Sequence, residues 1–303
     1  MSGRYSTPAA FKQAVEQRLR DKAAGDGVEL SRLRQLLVFD RFLARAFAVL
    51  GDRVVLKGGL VIELRLARAR TTKDIDLRVL GEPAGILESL RDAGRLDLGD
   101  FLQFEVTRDS HHPEIEAAGM LYQGQRYRAR ALLSGKTYGS PFGVDVAFAE
   151  PMAGKVERIE GSRFLAFANV AATVLTVYPI EAHVAEKLHA YSMPRDRPNT
   201  RVKDLPDIAL LASVGPLEAA ILRAAVDQTF GARATHAPPS SLPRPPEAWA
   251  SVYERIARTN HLPWTNLDAV THAASQFLDP VLARSSGWWD PDTWTWRRDN
   301  PMA

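Results

Sequence analysis

The chain contains no cysteine, which excludes disulfides, thiolate zinc sites, iron–sulfur clusters and cysteine nucleophiles together. Lysine is scarce as well. Lys12, Lys22, Lys57, Lys73, Lys136, Lys155, Lys187 and Lys203 are the eight present, against 31 arginines. Arginine suits bidentate phosphate contacts, and a genome whose base composition favours Arg and Ala codons explains the bias equally well. Neither sign of charge dominates: Lys plus Arg number 39 and Asp plus Glu 36, a formal net charge of +3 over 303 residues. Composition alone therefore permits nucleic-acid binding without indicating it. Nowhere do about 18 apolar residues run without a charge, and the opening MSGRYSTPAAFKQAVEQRLRDK lacks the apolar core of a signal peptide. A cytoplasmic protein with no membrane association is expected. G-x-S-x-G, Walker A, H-E-x-x-H and G-x-G-x-x-G are all missing, which removes the usual serine-hydrolase, P-loop, zincin and Rossmann signals.

What is there reads as a soluble globular chain, 46% hydrophobic and 25% charged, long enough for two cores. Thr7 and Pro8 open an amphipathic helix over 7–24, and Leu33, Leu36, Leu37, Phe42, Leu43 and Phe47 recur at helical spacing up to Gly51. The period then changes. Val54–Leu56 reads as a buried strand, Gly58 and Gly59 as a turn, and 60–67 as a helix. The segment 74–80 (DIDLRVL) alternates as a strand does, 83–94 reads as a helix, and 101–108, 127–133 and 144–148 add strands. From Ile180 the pattern is almost entirely helical, over 180–193, 203–213, 216–230, 247–258 and 266–284. The fold class is α+β, with a mixed sheet flanked by helices over residues 1–175 and a helical domain over 176–303. The proline-rich stretch 237–246 forms an extended loop within that second part. Trp288, Trp289, Trp294 and Trp296 near the end read as packing for the tail, with base stacking as the alternative.

Chemistry concentrates between Lys57 and Asp76. Strand alternation puts Asp74 and Asp76 on one face, where they can hold a divalent metal, while Ile75 faces the core. Asp145, in another short apolar strand, converges on them if that strand is adjacent, and Glu150 competes for the same part. Three carboxylates suit two Mg²⁺ ions, which about 3.5–4 Å apart clamp both oxygens of an in-line phosphoryl displacement. Gly58 and Gly59 let backbone approach closely, and the N–H groups that follow can receive a nucleotide triphosphate. An isolated D-x-D is common on solvated strands and an isolated G-G is often only a turn; their order and spacing together are more specific. A second cluster holds Glu181, Glu186, Lys187 and His189, then Arg195, Arg197, Arg201, Lys203, Asp204 and Asp207. It reads as cations for a triphosphate or RNA backbone, or as a salt-bridged helix junction. His111 and His112 are adjacent on a turn and cannot share a metal as an i, i+4 pair would.

The runs LKGGL, RTTKDIDL, AEKLHAY and RVKDLPDI, in that order over roughly residues 30–285, resemble the AbiEii / MenT-like nucleotidyltransferase toxins of type IV toxin–antitoxin systems. These belong to the DNA polymerase β-type superfamily. The resemblance implies a toxin that moves a nucleoside monophosphate from an NTP to the 3′ end of tRNA, blocking translation, and that has a cognate antitoxin. Carried onto this sequence, Gly58 and Gly59 contact phosphate, Asp74 and Asp76 bind metal, and Lys57 and Arg70 flank the site. Lys187 matches the family's catalytic lysine, with Asp204 or Asp207 as its acidic partner. Leu60 replaces a hydroxyl residue common after the glycine pair, and Pro206 is expected to interrupt the K-D-x-x-D helix. The alternatives are transfer to a protein hydroxyl or a small molecule such as an aminoglycoside, and a non-catalytic antitoxin- or RNA-binding module.

Overall fold

A threonine cap starts the chain's first helix, α1 (Pro8–Asp26): the Thr7 hydroxyl accepts the Ala10 N–H at 3.2 Å, and Pro8 sits where a missing N–H costs nothing. The computed structural model describes residues 5–66, 71–81, 84–114, 124–148, 152, 154–196 and 198–299. Helix α2 (Leu30–Leu50) follows, then β1 (Val54–Lys57), α3 (Gly59–Arg65), β2 (Ile75–Val79), α4 (Ile86–Arg95), β3 (Leu102–Arg108), β4 (Gly124–Leu133), β5 (Lys136–Thr137), β6 (Phe142–Phe148), β7 (Glu157–Glu160) and β8 (Val174–Val177). The remainder comprises α5 (Ile180–Ser192), α6 (Asp204–Ala212), β9 (Leu217–Glu218), α7 (Ala219–Arg233), α8 (Ala250–Thr259), α9 (Leu267–Leu282), β10 (Trp288–Asp290) and β11 (Thr295–Arg297).

Among the described residues eight strands form one sheet in the order β3-β4-β6-β2-β1-β8-β7, with β5 pairing β4. The β2–β6 and β1–β8 pairs are parallel, the other pairs antiparallel. The central strands are apolar almost throughout because they are covered on both sides. Phe39 and Phe42 of α2 meet Phe142 of β6 edge to face, in a core that runs from Phe11 to Val177. A second core gathers α5, α6, α7 and α9, and Ile62 of α3 contributes to it. With Leu66, which packs against the same cluster, it ties the segment after β1 to the helical half. None of the described helices is long and apolar enough to cross a membrane.

The structure corrects several expectations. Strands β7 and β8 are additional to those expected, and the helical half carries a small sheet in the order β11-β10-β9. Trp289, Trp294 and Trp296 pack against the helical half, as the sequence suggests: Trp289 is fully buried and donates its indole N–H to the Ala212 carbonyl at 2.7 Å. Trp294 and Trp296 donate to the Ala273 and Phe277 carbonyls of α9. Pro206 does not interrupt a helix. It is the third residue of α6, within the first turn, where N–H groups have no intrahelical acceptor. The proline-rich loop is held down by a Leu242 N–H bond to Asp279 and a Tyr191 hydroxyl bond to the Pro243 carbonyl.

Candidate active site

One row of residues crosses four adjacent strands. Lys57 of β1 is the register partner of Asp76 of β2, Asp76 is the partner of Asp145 of β6, and Asp145 is the partner of Arg126 of β4. Because alternate residues share a face, the row reads cation, acid, acid, cation across one surface of the sheet. The strand order makes this possible. β2 is inserted between β1 and β6, so two acids far apart in sequence lie side by side.

The G-G turn is fitted to this row. Gly58 has φ 73°, in the left-handed region, and a Cβ there would lie 1.9 Å from Asp76 Oδ2. Gly143 is similarly pressed: a Cβ would lie 2.7 Å from Asp74 Oδ1, and its N–H donates to that oxygen at 3.1 Å. Asp74 thus stands just ahead of β2, leaning across the start of β6. Two glycines far apart in sequence make the space the two aspartates occupy.

Each cation of the row has a settled partner. Lys57 Nζ donates to Glu186 Oε1 at 3.0 Å and lies 2.9 Å from Oε2, while the Tyr178 hydroxyl donates to the same carboxylate at 2.7 Å. Burial would raise the Glu186 carboxyl, but the charges of Lys57 and Arg233 and the Tyr178 bond outweigh it and hold the group below the usual range. Arg126 makes two parallel 2.7 Å bonds, from Nε and NH2, to the two oxygens of Asp145. Asp76 is pushed up to about 6, first by burial and then by the charge of Asp145, with Lys187 and Lys57 pulling the other way.

The helical half supplies the opposite wall. Lys187 Nζ on α5 lies 2.8 Å from Asp207 and 3.2 Å from Asp204, so both aspartates of α6 hold it. Arg201 NH2 also donates to Asp204, at 3.1 Å. Lys187, Arg201, Lys203 and Asp204, with the sheet row, line a cleft of about 500 Å³. At its back His183 is buried, with neither ring nitrogen hydrogen-bonded among the described residues. Burial and the charge of Lys187 keep it well below the usual imidazole range, hence neutral.

The structure therefore brings Lys57, Gly58, Gly59, Asp74, Asp76, Asp145, Lys187, Arg201, Lys203 and Asp204 to one cleft, with Asp207 behind Lys187. Arg70, Glu150 and Arg197 lie outside the described residues. Arg126, His183 and Arg233 line the same cleft and are not among the residues singled out in the sequence. The alternation of QRYRAR puts Arg126 on a polar face, but only the β4–β6 register shows what it faces.

Among the described residues no group of three or more His, Asp or Glu side chains is gathered tightly enough to hold a metal as it stands. The donor set nonetheless fits hard divalent cations, which take carboxylate oxygens. Asp74, Asp76 and Asp145 all open on the cleft, and the two glycines leave room beside the first two that a Cβ would fill.

A mixed sheet with a G-G turn, a D-x-D strand and a facing helical wall defines the class as a nucleotidyltransferase. Residues 41–272 match the family described as nucleotidyl transferase AbiEii toxin of type IV toxin–antitoxin systems, and the chain belongs to that family. Among solved structures it is similar to MenT4, the nucleotidyltransferase toxin Rv2826c from Mycobacterium tuberculosis H37Rv, with a TM-score of 0.50 and 16% identity over 72% of this chain and 70% of that one. It is also similar to JHP933 from Helicobacter pylori, with a TM-score of 0.48 and 15% identity over 82% and 94% of the two chains. At such identities the likeness to MenT4 is one of fold. No curated protein matches the chain.

Proposed function

We propose that this toxin transfers a nucleoside monophosphate from an NTP to the 3′ end of tRNA in the cytoplasm, in a Mg²⁺-dependent reaction that blocks translation, and that a cognate antitoxin restrains it. The observation that carries the transfer chemistry is the adjacency of Asp76 and Asp145 in register, opposite a wall of cations across one cleft. The division into a nucleotidyltransferase domain over 1–175 and a helical domain over 176–303 is supported by the two cores, the first of which runs on to Val177 and so keeps the whole of β8 with the sheet, while the second also takes in Ile62.

Asp74, Asp76 and Asp145 would hold the divalent ions, which when bound supply charge neutralisation at the reacting phosphate and acidify the acceptor hydroxyl. The residues of the chain do the rest. The missing side chain at Gly58 leaves Asp76 its place, and the N–H groups that follow the Gly58–Gly59 turn face phosphate oxygens. Lys187, fixed between Asp204 and Asp207, presents a point charge to the triphosphate, and Arg201 and Lys203 extend that positive wall toward the cleft mouth. The acceptor hydroxyl would release its proton to solvent as its oxygen bonds to the α-phosphorus, the bond from that phosphorus to the bridging oxygen breaks, and pyrophosphate leaves along the cationic wall. Electrostatic positioning of this kind is the main contribution a protein makes to phosphoryl transfer.

The test is incubation of the protein with each α-³²P-labelled NTP, Mg²⁺ and total bacterial RNA, beside Asp74→Ala. Label on tRNA-sized RNA that the variant lacks is expected. Label on protein or on an added aminoglycoside, with none on RNA, would replace the acceptor. Absence of both transfer and metal-dependent NTP binding would make the chain a binding module.

A further inference from the structure

The row across the sheet is not electrostatically symmetrical. Both flanking residues are cations, yet their partners differ. Lys57 is held by Glu186, an acid from the helical half that stands outside the row. Arg126 is held by Asp145, an acid of the row itself, through two bonds in the fork geometry that guanidinium and carboxylate share. One flank of the acid pair is therefore shared with an acid from the helical half, and the other is clamped onto the pair.

The asymmetry bears on cation capture, given the reading of Asp74, Asp76 and Asp145 as the metal ligands, on which the inference rests. Asp145 has two oxygens, and Arg126 engages both. A divalent ion reaching toward Asp145 from Asp76 meets a carboxylate already neutralised by an internal cation. The Arg126 side chain is 38% exposed and lines the cleft, so it has somewhere to go when displaced. Its neighbour on the same face, Arg128, is committed elsewhere, with Nε 3.2 Å from Asp109.

We propose that Arg126 is a resident counter-cation that competes with the divalent ion for Asp145, so that the ion is captured first at Asp74 and Asp76 and reaches Asp145 only by displacing the guanidinium. Arg126 is then a positioning residue that sets metal affinity. The paired bonds hold the site closed to loosely bound ions, and the third carboxylate is released only where a cation is attracted strongly enough to outcompete a bidentate arginine.

The experiment is calorimetric titration of Mn²⁺ into nucleotide-free protein, comparing wild type with Arg126→Gln, Arg126→Lys, Arg128→Gln, Asp76→Asn and the double variant Arg126→Gln/Asp145→Asn. Arg126→Gln is expected to tighten Mn²⁺ binding about tenfold or more. Arg126→Lys, which keeps the charge and loses the fork, is expected between it and wild type, and gives a second reading if the glutamine variant folds poorly. Arg128→Gln removes the same charge two residues away and should stay within about threefold of wild type, which separates the contact from the general field. The double variant should lose the gain. Asp76-dependent binding that Arg126→Gln leaves unchanged or weakens would overturn the inference and leave the metal reading standing. Mn²⁺ that binds none of the proteins, or binds without regard to Asp76→Asn, would overturn both.

Discussion

Asp76 and Asp145 are register partners on the parallel strands β2 and β6, although 68 residues separate their numbers. Burial penalises the charged carboxylate, and the like charge of Asp145 adds to the cost; together they push the Asp76 carboxyl up to about 6. A site that keeps two acids in this arrangement stores electrostatic repulsion, which a bound cation relieves.

Asp76→Asn is therefore expected to abolish nucleotidyl transfer, by about 10³-fold or more, while leaving the fold intact. The amide keeps the shape of the side chain and removes only its charge. Label incorporation measured beside a thermal melt checks this. Transfer within tenfold of wild type would show that Asp76 is not part of the reacting centre.

Much of this site is legible in the amino-acid sequence because its parts are local. A G-G after a buried strand and acids two apart on the next strand each depend on a few neighbouring residues, whereas the pairing of Lys187 with Asp204 and Asp207 comes from the family resemblance. Pairings across the sheet are not legible in the same way. The facing of Arg126 and Asp145 depends on β4 lying beside β6, and that of Lys57 and Glu186 on helix α5 packing over β1. The additional strands escape for a related reason. ERIE in β7 and VLTV in β8 are four residues each, too short to show a period, and β9 and β10 have their order only by pairing with one another. Pro206 misleads because sequence alone does not place the start of α6, and a proline in the first turn means the opposite of one in the middle.

Gly58→Ala tests the turn. The added methyl would stand 1.9 Å from Asp76 Oδ2 in a residue at φ 73°, so Asp76 or the turn must move. A loss of about 2–4 kcal/mol in stability and at least 100-fold in transfer is expected. Gly85→Ala is the control, since Gly85 has φ 81° with nothing within 4 Å of its added methyl. It should cost about 1 kcal/mol from backbone strain and leave transfer unchanged. Equal behaviour of the two variants in transfer would refute the fitted-turn account.

Trp289 tests the packing of the tail. Its ring is fully buried against Phe277, Trp294 and Trp296, and its N–H satisfies the Ala212 carbonyl. Trp289→Phe should cost about 1–2 kcal/mol, through the lost hydrogen bond and an unpaired buried carbonyl. Trp289→Ala should cost about 3–5 kcal/mol through the cavity. Urea unfolding gives both numbers. If Trp289→Ala instead leaves stability unchanged and lowers RNA binding, the tail is a binding surface after all.

A pH dependence of stability is expected from Asp40, which lies in the core of the sheet domain and away from the cleft. Burial pushes its carboxyl up to about 6 against Arg41's opposing charge. Arg41 is the strongest opposing influence but does not outweigh burial; its Nε is committed to Asp100 at 2.6 Å and its contact with Asp40 is 3.6 Å. The sign follows from proton counting. Below about pH 3.8 the group is protonated in both folded and unfolded chains and contributes nothing. Between about 3.8 and 6 the unfolded chain has released the proton and the folded one has not, so stability falls as pH rises. Above 6 the loss is complete, on the order of 2–3 kcal/mol. Asp40→Asn should remove this term, raising stability by about 1–3 kcal/mol at pH 8 and by almost nothing at pH 4. Urea midpoints of the two proteins at both pH values measure it, and a variant less stable than wild type at pH 8 would show that the ionised carboxylate is a net asset to the fold.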